Sequence, residues 1–148
     1  MLALLHNRLF ITAGVANVIA QALKVLLILV TERRWEPARI LETGGMPSSH
    51  SAVVAALATG VGISEGLGSP DFALAAVFGS IVIYDATGIR RAAGLQAQRL
   101  NELVYELGHL FDEGFQPRAL KTLLGHTHPQ VVVGAVLGIA TGLISFLR

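Results

Sequence analysis

The chain has 148 residues, of which 53% are hydrophobic and 14% charged, with a mean hydropathy of +0.62. A soluble domain usually carries about 25% charged residues, so an ordinary water-facing surface is excluded and the bilayer becomes the expected solvent. Eleven basic against ten acidic residues give a net charge of +1, which leaves no footprint for nucleic acid. The absence of cysteine rules out disulfides, thiolate metal sites and a cysteine nucleophile.

The first apolar stretch, Leu9 to Val30, matches the ~20 residues that a helix needs to cross the hydrocarbon core. It exceeds the roughly 7–15 apolar residues of a signal peptide, so a retained span is predicted. Within it Gly14, Asn17, Gln21 and Lys24 recur at steps of three and four, one face of a helix. Polar groups are costly in lipid, so this face is expected to point into a bundle. Asn17 and Gln21 read as interhelical hydrogen-bonding groups. Lys24 either snorkels toward the interface or serves a site.

Two shorter apolar segments follow, His50 to Ile63 and Phe72 to Tyr84. Ser69-Pro70-Asp71 marks the start of the second: a serine cap, proline at the first helical position and an acid in the first turn. From Arg91 to Phe111 the pattern turns amphipathic. Leu100, Leu103, Val104, Leu107, Leu110 and Phe111 share one face, with Arg99, Asn101, Glu102, Glu106 and Asp112 opposite. This helix is too polar to span and is expected to lie in the interface or cap the bundle, with His109 on its surface. A final segment, Pro129 to Leu147, carries Gly134, Gly138 and Gly142 at intervals of four. That spacing admits a second helix backbone at close range, from this chain or from another copy.

The expected fold is therefore all-α: one domain, residues 1–148, with about four transmembrane helices and one amphipathic interfacial helix. Arg33, Arg34, Arg39, Arg90, Arg91, Arg99, Arg118 and Lys121 fall on one side of it, and Arg8 and Arg148 on the other. The positive-inside rule puts the richer side in the cytoplasm and the N-terminus outside, in an inner or plasma membrane.

With that topology three polar clusters meet at the cytoplasmic ends of the spans: Gly44 to Ser51, Asp85 to Arg91, and Gly125 to Gln130. The first is a glycine-flexible lead into a helix, with Pro47 suited to its first turn. Ser48, Ser49 and Ser51 place hydroxyls beside unsatisfied N–H groups, an anion site favoured by the helix dipole. His50 stands in the same turn; the bland alternative is a serine cap beside a solvated histidine. His126 and His128 precede a second helix opened by Pro129. Histidines on separate segments suit phosphoryl transfer, one attacking phosphorus and the other protonating the leaving oxygen. A metal pair is the alternative, with Asp85 the one obvious carboxylate. Asp85 needs a partner to be buried, and Arg90 or Arg91 can supply it. Either arginine can also clamp phosphate oxygens or anchor to the inner leaflet.

The segments GGMPSSHSA, YDATGIRRAAGLQA and LLGHTHPQVVVGAVLG closely resemble the divergent membrane branch of the type 2 phosphatidic acid phosphatase family, related to acid phosphatases and vanadium-dependent haloperoxidases. The resemblance covers nearly the whole chain. It implies that Ser48, Ser49 and their N–H groups hold phosphate and that His50 is the general acid. It also implies His126 as nucleophile, with Gln130 at the position of an orienting Asp and Gly134 at a conserved-type Gly of the motif; whether His126 or His128 attacks is left open. The sequence departs from the pattern at three places. Gln130 is neutral and cannot stabilise an imidazolium as a carboxylate does, unless Asp85 compensates. Leu120 stands where the motif has Arg, six residues before His126, flanked by Arg118 and Lys121. No Lys-x6-Arg-Pro motif exists, Lys24 being followed at that distance by Thr31. Phosphate contacts then fall to Arg90, Arg91, Lys24 or Lys121.

The expected function is a phosphatase acting on a lipid-borne phosphate or pyrophosphate through a phosphohistidine, with no metal or cofactor required. Its partners are the phosphorylated substrate, membrane lipid and, given so few spans, a second subunit. The alternative is a non-catalytic membrane protein that keeps the anion cradle to bind a phosphorylated lipid or partner.

Overall fold

In a computed structural model, residues 2–33, 45–108, 118–122 and 124–147 are described. They form six helices: α1 (Leu2–Leu5), α2 (Arg8–Glu32), α3 (Ser49–Ser64), α4 (Pro70–Thr87), α5 (Ile89–Glu106) and α6 (His128–Phe146). Arg34, Arg39, Gly44, His109, Leu110, Phe111, Asp112 and Arg148 lie outside the described residues, so the readings that rest on them do too.

The helix starts follow local chemistry. Asn7 caps α2 by accepting the N–H of Phe10 at 3.1 Å, and Ser69 caps α4 by accepting that of Phe72 at 3.1 Å. Pro70 and Asp71 complete the expected start of α4. At Gly88 the backbone breaks (φ −100°, ψ −90°) and α5 begins at once. The described part of α5 ends at Glu106, short of the predicted Phe111. Pro47 is not in a helical turn as expected: it follows Met46 through a cis peptide and precedes the cap, Ser48.

α2, the apolar part of the α4–α5 segment and α6 are long and apolar enough to cross a membrane; α3 is apolar but shorter. The all-α membrane bundle is thus as expected, with α3 at its centre, packed on α2, α4 and α6. Small side chains explain this position. Ala16 and Ala20 of α2 meet Ala52 and Ala56 of α3 in a core of methyl groups. On the other flank Gly134, Gly138 and Gly142 are buried against α3. A Cβ on Gly138 would overlap the carbonyl oxygen of Ala52, and one on Gly134 that of Ser48. Backbones this close pack by van der Waals contact, the main attraction between helices when the solvent is itself apolar.

That alanine ridge also sets the rotation of α2. Its buried face runs through Thr12, Ala13, Ala16, Ala20 and Lys24, with Gln21 half-buried beside it. Gly14 and Asn17 face outward. The expected inward stripe of Gly14, Asn17, Gln21 and Lys24 therefore holds for its last two members only. Flat alanines permit a closer approach than the polar side chains, and their packing wins.

Candidate functional site

Three helix ends are tied together at one end of the bundle by backbone hydrogen bonds. The N–H of Ser48, just before α3, donates to the carbonyl of Gln130 in α6 at 3.0 Å. The N–H of His126 donates to the carbonyl of Ala86, in the last turn of α4, at 2.8 Å. The C-terminal half of α2 joins through Lys24, whose methylenes pass beneath Gly45: a Cβ on Gly45 would lie 3.3 Å from Lys24 Cδ. The three polar clusters of the sequence are thus brought to one place.

Two imidazoles stand together here, that of His126 buried and that of His50 exposed. The rings of His50 and His126 are 6.0 Å apart, centroid to centroid, and nearly perpendicular at 76°. His126 is 3% exposed, yet neither of its ring nitrogens has a hydrogen-bond partner among the described residues. Buried polar atoms are usually satisfied, so an orphaned imidazole is a place to look for a ligand. Burial, reinforced by the positive charges of His50, Lys24 and Arg90, holds His126 down to a pKa of about 4. At neutral pH it therefore offers a lone pair. His128, by contrast, is exposed as the first residue of α6.

A cavity of about 220 Å³ opens beside His126, lined among others by Gly45, Arg91, Gln98, Thr127 and Gln130. Arg91 is thus one of the residues that border the cavity. Arg90 instead pairs with Asp85, Nε to Oδ2 at 2.5 Å. Asp85 is consequently engaged by the arginine, and among the described residues His126 has no carboxylate partner. Lys121 is exposed and does not line the cavity.

Ser48 is the helix cap that the sequence offered as the bland alternative, and Ser49 and Gln130 are bonded to near neighbours. Ser48 is fully buried; its Oγ accepts the N–H of Ser51 at 3.3 Å and the Ser51 hydroxyl at 3.0 Å. Ser49 Oγ accepts a long contact from Gln21 Nε2 at 3.5 Å. Both hydroxyls are turned into packing, while the first-turn N–H groups of Ser49 and His50 are the donors left by helix geometry. Gln130 Oε1 accepts the N–H of Thr127 at 2.9 Å, a helix cap, so its carbonyl is occupied there and not at an imidazole.

Sequence reasoning missed Gln98 and the way α5 becomes a wall of the cavity. The signal was Gly94, whose Cβ would come within 2.7 Å of the Thr122 carbonyl: a glycine on an otherwise bulky amphipathic helix marks a close approach. Asn101 strengthens this wall, its amide exchanging two 2.9 Å hydrogen bonds with the backbone of Leu120. Gly125 holds the other side. It has φ +78°, and a Cβ there would overlap the backbone nitrogen of Arg91. Gly125→Ala is therefore expected to lower stability by about 1–3 kcal/mol, the usual range for overpacking, as read by thermal unfolding in detergent.

The model of the divergent PAP2 family matches residues 5–141. The uncharacterized membrane protein YuiD of Bacillus subtilis (strain 168) is 40% identical over 150 residues, covering 95% of each chain. No solved structure matches. A family match over nearly the full length, with a membrane relative of equal extent, settles descent: the chain is a membrane protein belonging to the divergent PAP2 family.

Proposed function

We propose that this protein is a membrane phosphatase that removes phosphate from a lipid-borne phosphate or pyrophosphate at the cytoplasmic face. The observation that carries the reading is His126, buried beside a cavity, unpartnered at both nitrogens among the described residues and 6.0 Å from a second imidazole. One His126 nitrogen attacks phosphorus as the bond from phosphorus to the leaving oxygen breaks. Protonated His50 gives that oxygen its proton. Water then attacks the phosphohistidine, returning a proton to His50 and releasing inorganic phosphate. The N–H groups of Ser49 and His50, with Arg91 and Lys24, stabilise the equatorial oxygens as charge develops on them. Arg90, held by Asp85, contributes its field; no metal enters the scheme. The excess of basic residues beside the site supports its cytoplasmic placement.

The phosphohistidine gives a direct test. Protein in detergent is mixed with isotopically labelled lipid phosphates or diphosphates and quenched in base, which preserves the N–P bond. Label is expected on His126 by mass spectrometry; turnover with no label on either histidine rejects the intermediate. The pH profile is a second check. Because His126 is held near 4, it is neutral and competent above that value and lost below it. The acid limb of kcat/KM assigned to the nucleophile is expected near pH 4. A nucleophile limb near 6.5, the ordinary histidine value, contradicts the burial argument.

One observation favours a second reading, a non-catalytic phosphate binder. The Gln130 carbonyl and the Asp85 carboxylate are both engaged elsewhere, so neither is bonded to the His126 imidazole. This reading expects binding of vanadate or phosphate without turnover.

A further inference from the structure

Asn17 is out of place. It is the tenth residue of α2, a helix of 25 residues, so by a rise of 1.5 Å per residue it lies about 14 Å from one end and about 22 Å from the other. With a hydrocarbon core of ~30 Å, such a position is inside the membrane. Its side chain nevertheless faces outward and makes no hydrogen bond among the described residues. Other polar side chains on the spans solve this problem within their own helix. The hydroxyls of Thr31, Ser80 and Thr141 each return to the carbonyl four residues back, at 2.7–2.8 Å. An asparagine amide, with two donors and an acceptor, is not satisfied that way and is costly in lipid.

Its neighbours leave room for a partner. Gly14 lies one turn away, with nothing within 4 Å of where its Cβ would be, and Phe10, a further turn along, is 50% exposed. Phe10, Gly14, Asn17 and Gln21 are spaced four, three and four, the rhythm of a helix seam. Gln21 turns inward toward Ser49, so the open part of the seam is the half of α2 remote from the histidines.

We propose that this face binds the same face of a second copy of the chain. Copies inserted in one membrane with one orientation present parallel α2 helices. Across a two-fold axis near residue 17 each amide supplies the donor that the other accepts and accepts what the other donates. The side chain is its own complement, which a foreign partner would have to match with a polar group of its own. A single asparagine in an apolar seam also fixes the register, and Gly14 leaves open space beside it in which a small side chain fits. The inference rests on the membrane reading and is independent of the phosphatase reading, since the seam lies away from the site.

The chain has no cysteine, so single replacements report cleanly. Gly14→Cys, on the seam, and Val77→Cys, on the exposed face of α4, are reconstituted in liposomes over a range of protein-to-lipid ratios and oxidatively cross-linked. Dimer is expected from Gly14→Cys with saturable dependence on the ratio, and only collisional background from Val77→Cys. In label-transfer measurements Asn17→Leu is expected to weaken association on the order of tenfold, the scale of an interhelical hydrogen bond in lipid, while Asn17→Gln keeps most of it. Unfolding in detergent, unchanged in Asn17→Leu, separates this from misfolding. Equal cross-linking at residues 14 and 77, association indifferent to Asn17→Leu, or a monomer at every ratio each overturns the proposal.

Discussion

His126→Ala is expected to reduce phosphate release by about a thousandfold or more, because removal of an attacking group leaves only binding and electrostatic assistance. The geometry makes the expectation specific. Among the described residues His126 is the buried histidine, held by its own N–H to the carbonyl of Ala86, with both ring nitrogens unclaimed. His128→Ala, at an exposed position, is expected to change the rate little. His50→Ala tests the division of labour. Loss of a general acid costs about 10²–10⁴-fold when the leaving oxygen needs a proton, and much less with an aryl phosphate whose phenolate departs unassisted. The double variant is expected to be little worse than His126→Ala alone, since the acid has nothing to assist once the nucleophile is gone. Phosphate release is measured from purified protein over a panel of lipid phosphates. Equal rates for wild type and His126→Ala throughout the panel remove the enzymatic reading, leaving vanadate binding to test the alternative.

The second large effect is expected at the α3–α6 contact. Gly138→Ala puts a methyl group into the carbonyl of Ala52, and Gly134→Ala puts one into that of Ser48. Neither obstacle is a flexible side chain, so relief requires the helices to part. Overpacking costs about 1–3 kcal/mol even where neighbours can yield, and these positions belong at the upper end or above. Separation at Gly134 also strains the bond from Ser48 N–H to Gln130, so the site is expected to suffer with the fold. Gly68→Ala, whose added Cβ would meet open space, serves as the comparison. Unfolding midpoints in detergent report the difference; a Gly138→Ala midpoint equal to that of Gly68→Ala refutes the packing account.

Much of this architecture was legible from residue order. Ser69-Pro70-Asp71 announces α4 because capping is local chemistry, decided within one turn. Gly134, Gly138 and Gly142 announce a close helix pair because their spacing is a property of one helix alone. The convergence of the polar clusters followed from alternating spans. What escaped depended on competition between neighbours. Gly14 and Asn17 share a face with Lys24 on paper, but the alanines of α2 and α3 determined the rotation and turned two of the four polar positions outward. Ser48, Ser49 and Gln130 carry the right groups at the right spacing, yet each hydrogen-bonding atom went to the nearest helix end or side chain. Asp85 found Arg90 five residues on, as sequence proximity suggested, and so was lost to His126. Gln98 sits on a helix whose pattern speaks only of amphipathy, and its role at the cavity appears once α5 is folded back over the loop.

The brevity of α3 has a consequence for the physics of the site. Sixteen residues extend about 24 Å, less than the ~30 Å hydrocarbon thickness, and the enclosing helices α2 and α6 are longer. The first turn of α3 lies level with Gln21, eleven residues before α2 ends, with Lys24 and His126 buried beside it. At such depth the surroundings polarise weakly, and each charge or N–H aimed at an anion acts over a lower effective dielectric than at the surface. A shortened central helix lets a handful of groups do electrostatically what a shallower site would need more of them to do, in a chain that is only 14% charged.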